Sequence, residues 1–111
     1  MTKEEIDIDS FKKIDLKVGK IIAAENVEKS NKLIKIKVSL GDGEKTILSG
    51  IRNQYTAEEL LGKKIIIIDN LKPAKFMGLE SQGMLLAAQD KDGKLALLTV
   101  DKDIEEGSSV S

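Results

Sequence analysis

The sequence predicts an all-β domain with one short helix: a five-stranded barrel followed by extra C-terminal strands. Three observations predict it. Apolar and polar residues alternate in strand-length runs separated by turn residues. A single capped helical turn interrupts the series after its third run. The chain is 111 residues with one Pro and no Cys, enough for one core and one domain, without a disulfide framework.

Residues 1–8 read as a polar lead, and Asp9-Ser10-Phe11-Lys12-Lys13 as one helical turn capped by Asp9 or Ser10. Ile14, Leu16 and Val18 then alternate with Asp15, Lys17 and Gly19, and the pattern resumes in shifted phase through Ile21 and Ile22 to Ala24. A phase change beside a Gly predicts a bulge or sharp coil in the first strand. Glu28-Lys29-Ser30-Asn31 is a polar connection. The second strand is the cleanest: Ile34, Ile36, Val38 and Leu40 share one face, Lys35, Lys37 and Ser39 the other. Gly41-Asp42-Gly43-Glu44 turns the chain into a third strand, Lys45 to Ile51. Thr56 and Glu59 form a capping box, with Gly62 past the helix end. Lys63 to Asp69 is a fourth strand, its Ile65–Ile68 run suited to burial on both faces. A long irregular loop, Asn70 to Gly83, precedes a fifth strand, Met84 to Ala88. A turn at Asp90-Lys91-Asp92-Gly93, a sixth strand from Leu95 to Val100 and a short strand within Ile104–Val110 complete the chain.

Three strands, a helix and two more strands is the order of the OB barrel, whose strand 2–3 face and loops 1–2 and 4–5 bind oligonucleotides. The charge distribution falls in with this order. Residues 1–11 carry net −3, residues 12–75 net +6 and residues 76–111 net −4. Lys29 and Lys32 fall at the 1–2 loop, Lys35 and Lys37 on the outward face of strand two, and Lys72 and Lys75 in the 4–5 loop. A basic middle between acidic ends suits one face for a polyanion, although charge alone equally fits a solvated surface.

Composition narrows the chemistry. Without His or Cys there is no imidazole base, no Ser-His-Asp or Cys-His constellation and no thiolate metal site, so no catalytic residue, metal or cofactor is expected. Asp90-Lys91-Asp92-Gly93 lacks the later ligands of a calcium loop and reads as a hairpin turn. The spacing around Ser81 does not make a nucleophile elbow. No apolar run, Ile65–Ile68 included, is long enough to span a bilayer, and the acidic N-terminus is unlike a signal peptide, so a cytoplasmic binding module is expected.

The 70–84 segment holds the only Pro, two of three Met and one of two Phe. A connection of this length without secondary structure is usually functional or disordered, and Phe76 and Met77 argue against disorder; these two serve either that function or as a plug for the barrel end. Its wording, Asn70-Leu71-Lys72-Pro73, Lys75-Phe76-Met77-Gly78 and Glu80-Ser81-Gln82-Gly83-Met84, closely resembles the OB-type tRNA-binding domains of methionyl-tRNA synthetases. Standalone relatives are the structure-specific tRNA-binding protein and the separate synthetase β subunit. Asp15-Leu16-Lys17-Val18-Gly19, Lys32-Leu33, Ser49-Gly50-Ile51, Tyr55 and Leu61-Gly62-Lys63-Lys64 extend the likeness over nearly the whole chain. The resemblance implies one domain, residues 1–111, with a barrel over about 11–88. It also implies a homodimer made by the N-terminal turn and about residues 84–111, non-catalytic binding of tRNA by shape, and partnership with a methionyl-tRNA synthetase catalytic subunit. By position it implies RNA contacts at Lys32, Arg52, Lys72, Lys75, Ser81, Gln82 and Met84. Many relatives carry His-Pro in the first loop; Glu28-Lys29-Ser30-Asn31 departs from that, so only Lys32 carries over there.

Two other functions compete. One branch of the same family consists of export-related chaperones that bind polypeptides, but it generally lacks the loop wording retained here. A generic single-strand reader would need stacking platforms, and only Phe11, Tyr55 and Phe76 are aromatic.

Overall fold

A computed structural model describes residues 2–111; Met1, part of the expected polar lead, lies outside the described residues. The elements in order are α1 (Ile8–Lys12), β1 (Leu16–Asn26), β2 (Ile34–Ser39), β3 (Glu44–Ser49), α2 (Ala57–Leu60) and β4 (Lys64–Ile68). They continue as β5 (Ala74–Phe76), β6 (Leu79–Ser81), β7 (Met84–Leu85), β8 (Ala87–Gln89), β9 (Leu95–Leu97) and β10 (Ser109–Val110). The order across the main sheet is β3-β2-β1-β4-β7, all antiparallel, and it curls into a nearly closed five-strand barrel of the OB type.

The alternation in β2 does what its sequence dictates: Ile34, Ile36 and Val38 are fully buried, while Lys37 points to solvent. Ile21, Ile47, Ile65 and Ile67 meet them in the core. The sheet curls at the expected place. The β1–β2 register slips between Ile21 and Ala23, a bulge that turns Ile22 outward. Gly19 marks the tightest approach, since a Cβ there would sit 2.2 Å from the Val38 side chain.

Helix α2 is capped as the sequence requires. The Thr56 hydroxyl accepts from Glu59 N–H at 3.2 Å while the Glu59 carboxylate accepts from Thr56 N–H at 3.0 Å. The cap aims the buried Leu60 into one end of the barrel.

Four local expectations are corrected. The cap of α1 is Asp7, accepting from Ser10 N–H at 2.8 Å, rather than Asp9 or Ser10. The 70–83 loop contains a hairpin, β5–β6. The expected fifth strand is two, because Met84–Leu85 pairs with β4 and Ala87–Gln89 leaves the barrel to pair with β9. The sixth strand ends at Leu97, where Leu97 N–H donates to the Tyr55 hydroxyl (3.0 Å) and ties the β8–β9 hairpin to the barrel. The tail strand, β10, covers the edge of β1 that β2 leaves free, pairing Leu16 with Val110.

Candidate nucleic-acid interface

The first loop is a compact turn rather than a floppy connection. Ser30 Oγ accepts from both Lys32 N–H and Leu33 N–H (3.1 Å each). The segment after β3 lies against it: Arg52 N–H donates to Lys32 O (3.1 Å), and the Arg52 guanidinium donates to Ser30 O. Lys32 and Arg52, distant in sequence, therefore share one edge, beside a concavity lined by Glu28, Lys29, Ser30, Asn31 and Arg52.

On the outward face of the barrel, Lys35 faces Glu25 at 3.7 Å and Lys37 faces Glu44 at 3.9 Å. Exposed pairs of this kind contribute little to stability but neutralise local charge. Lys29, Lys32, Arg52, Lys72 and Lys75 form no ion pair among the described residues.

The base of the 70–83 segment is anchored by Asp69 and Asn70, which sequence reasoning did not single out as site residues. The Asn70 amide grips the chain that follows α1, accepting from Asp15 N–H (2.9 Å) and donating to Lys13 O (2.7 Å). Asp69 joins Lys17 of β1 (2.9 Å) to Lys45 of β3 (2.5 Å). Burial pushes the Asp69 carboxyl up, but hydrogen bonds and charge from Lys45 and Lys17 outweigh it and hold it below its ordinary value. A depressed folded-state pKa adds stability that is complete above the unfolded value of about 3.9 and lost as pH falls through the folded one. Asp69→Asn is therefore expected to melt below the parent at neutral pH, with the gap closing below about pH 4. A gap independent of pH in thermal melts would show that the carboxylate charge contributes nothing.

Above this base, β5 and β6 pair Lys75 with Glu80 and Phe76 with Leu79. Met77 (φ 52°) and Gly78 (φ 81°) are the two turn residues, both left-handed, as a tight hairpin turn of type I′ demands. The turn displays Phe76, 45% exposed, and Met77, 57% exposed, so neither plugs the barrel end.

Ser81 and Gln82 close the barrel where strand pairing is missing. Ser81, only 4% exposed, accepts from Leu48 N–H (3.0 Å) and donates to Gly83 O (3.0 Å). The Gln82 side-chain oxygen accepts from Thr46 N–H (2.8 Å), and the Gln82 backbone N–H donates to Thr46 O (2.8 Å). These side chains replace ladder bonds to β3, so the strand's end stays uncovered. A groove of ≈ 270 Å³ opens there, lined by Leu48, Gly50, Leu71, Lys72, Phe76 and Met84, with Ser81 at its inner side.

Of the seven sequence-expected residues, the structure thus brings Lys72, Ser81 and Met84 together at one groove and joins Lys32 to Arg52 at the neighbouring loop. Lys75 stands on the exposed hairpin, and Gln82 lies in the seam with its amide oxygen engaged. Leu71 and Phe76 belong to the groove although they were not among the seven; their signal was large apolar side chains interleaved with the loop lysines.

Residues 16–109, from the start of β1 into β10, match the family model described as "Putative tRNA binding domain". The methionine–tRNA ligase of Methanocaldococcus jannaschii is 55% identical over 107 residues, 96% of this chain. The chain spans 16% of that ligase's length. Among solved structures, the MetRS related protein from Pyrococcus horikoshii is 46% identical with a TM-score of 0.93, covering 98% of this chain and 100% of its own. The CsaA chaperone protein from Picrophilus torridus is 34% identical with a TM-score of 0.87, covering 96% and 100% respectively. The matched barrel and its closing loop are those of one family, and the chain belongs to it: the tRNA-binding domain family.

Proposed function

We propose that this chain is a non-catalytic module that binds folded tRNA in the cytoplasm, either appended to a methionyl-tRNA synthetase or acting in trans as its β subunit. The observation that carries the reading is the placement of cations that form no ion pair among the described residues: Lys32 and Arg52 joined at the first loop, Lys72 on the neighbouring groove and Lys75 on the exposed hairpin. Backbone phosphates are the natural partners of such a set, and they position an RNA without reading its sequence. Met84 adds an apolar contact at the groove, and Ser81 and Gln82 serve the surface by holding the seam beneath it. A module of this kind raises the local tRNA concentration at a catalytic subunit.

Gel shifts with folded tRNA, unfolded RNA and a denatured polypeptide test this. Preference for folded tRNA is expected; equal binding of all RNA would sink it. Lys72→Ala and Lys75→Ala should each weaken different tRNAs by similar factors and lower the slope of log K against log[salt] by ~0.7 to 0.9. Unchanged affinity and slope in both would remove the site from this loop.

The module works as a homodimer in this reading, through the N-terminal turn and about residues 84–111. Exposed Ile6, Ile8, Leu98 and Ile104 support it, since they leave apolar surface on those segments. Sedimentation at micromolar concentration is expected to give twice the 12.1 kDa chain mass; a monomer there would defeat the dimer. An export-related chaperone is the second reading, favoured by the 34% identity to a CsaA chaperone protein. Binding of denatured polypeptide in preference to tRNA would establish it over the first.

A further inference from the structure

We infer that the groove between the end of β3 and the β5–β6 hairpin is a slot for a single unstacked nucleobase, with Phe76 as its stacking platform. The inference rests on the tRNA reading above and adds a ligand group to it: a base, where the lysines take phosphates. The groove of ≈ 270 Å³ lies just below the ~300–1,000 Å³ usual for small-molecule pockets, a size for one nucleoside and not for a duplex. Its lining is mainly apolar, from Leu48, Leu71, Phe76 and Met84, which suits the face of a ring. One cation sits with it: Lys72 lines it, in no ion pair among the described residues, while Lys75, between the groove-lining Ala74 and Phe76 on β5, belongs to the opposite face of the hairpin. An aromatic face beside backbone-binding cations is the arrangement by which proteins hold unpaired bases, and it tolerates any base because each has a π-face.

The fold keeps the slot open in two ways. Ser81 and Gln82 satisfy β3 at Leu48 and Thr46 with side chains, and beyond them, on the edge away from β2, no strand of the described residues pairs with Ser49 and Gly50. Gly50 itself lines the groove, and a Cβ there would meet nothing within 4 Å. A side chain at Gly50 would therefore stand in open space at the groove's edge rather than in the core. The position also lies outside the left-handed φ region, so a side chain meets no backbone strain.

The experiment uses the full chain and three RNA probes: a tRNA transcript, a short RNA stem with one bulged 2-aminopurine, and the same stem fully paired. The bulged stem should bind better than the paired one, and its 2-aminopurine fluorescence should drop on binding as the base stacks. Phe76→Ala and Gly50→Leu should each weaken the bulged stem and the tRNA by about fivefold or more, the lower end for one base–aromatic stack. Neither should change the salt slope or the affinity for the paired stem, whereas Phe76→Tyr should keep the parent's affinity. Phe76 is exposed, so its variants carry the test even where Gly50→Leu folds poorly in a thermal melt. If the parent binds tRNA and both variants bind every probe as it does, the slot is refuted while the tRNA reading stands. If denatured polypeptide displaces the bulged stem and quenches nothing, the groove belongs to a peptide and the inference fails. If the parent binds no RNA at all, the tRNA reading fails and takes the slot with it.

Discussion

Replacing Ile47 with Ala is expected to lower stability by about 2–5 kcal/mol, the range for removing a fully buried branched side chain. Ile47 is 0% exposed, faces Ile36 across the β2–β3 ladder and packs within the central cluster. Its side chain also reaches the seam, since its Cδ1 lies 3.7 Å from where a Cβ on Gly83 would sit. The cavity would thus open under the seam that the Ser81 and Gln82 side chains help to close, where the walls can collapse only by moving the 81–83 segment. Against a total of about 5–15 kcal/mol for a domain, such a loss is large. At roughly 4–8 °C per kcal/mol for a chain of this size, the melting temperature should fall by about 10 °C or more. Ile47→Val, which removes one methyl, should lose only ~0.5–1.5 kcal/mol. A melt for Ile47→Ala within two or three degrees of the parent would mean that the seam, not the core, limits unfolding.

That core was legible because local pattern and tertiary role coincide in it. The Ile34-Ile36-Val38 alternation, the Ile65–Ile67 run and the Thr56–Glu59 box each encode their own outcome within a few residues. The hairpin inside the 70–83 loop was not legible for the opposite reason. None of Ala74, Lys75 and Phe76 is buried, so no alternation against the core betrays β5, and its turn places Met at a left-handed position usually taken by Asn or Gly. The division of Met84–Ala88 into β7 and β8 depends on which strand each half pairs with, and a strand's own pattern does not name its partner. Charge and strand order placed Lys32, Lys72 and Lys75 on their connections, whereas Arg52 came from the family resemblance alone. The Asn70 clamp followed from neither, because its partners Lys13 and Asp15 lie 57 and 55 residues away. The seam hid for the same reason: Ser81 finds Leu48 across a separation of 33 residues.

Ser81→Ala is expected to damage both the fold and the binding of tRNA, with distinct signatures. In the parent, the hydroxyl satisfies two backbone groups at once, Leu48 N–H and Gly83 C=O, inside a seam that admits almost no solvent. Alanine leaves both without that partner, and a buried polar group left unpaired costs about 1–3 kcal/mol. The melting temperature should fall accordingly, by roughly 5 °C or more. Binding should weaken because the groove shared by Leu48, Lys72 and Met84 loses its fixed inner wall. The salt slope should stay at the parent value, since no lysine is removed and the number of phosphates neutralised is unchanged. Direct contact between Ser81 and the RNA makes the contrary prediction: affinity falls while the melt does not move, because the hydroxyl would then have no internal work. Thermal melts and salt-dependent tRNA titrations on the same preparation separate the two. A parent-like melt with reduced affinity would overturn the structural role assigned to Ser81. A lowered melt with an unchanged slope would place it with the residues that hold the surface rather than those that touch the ligand.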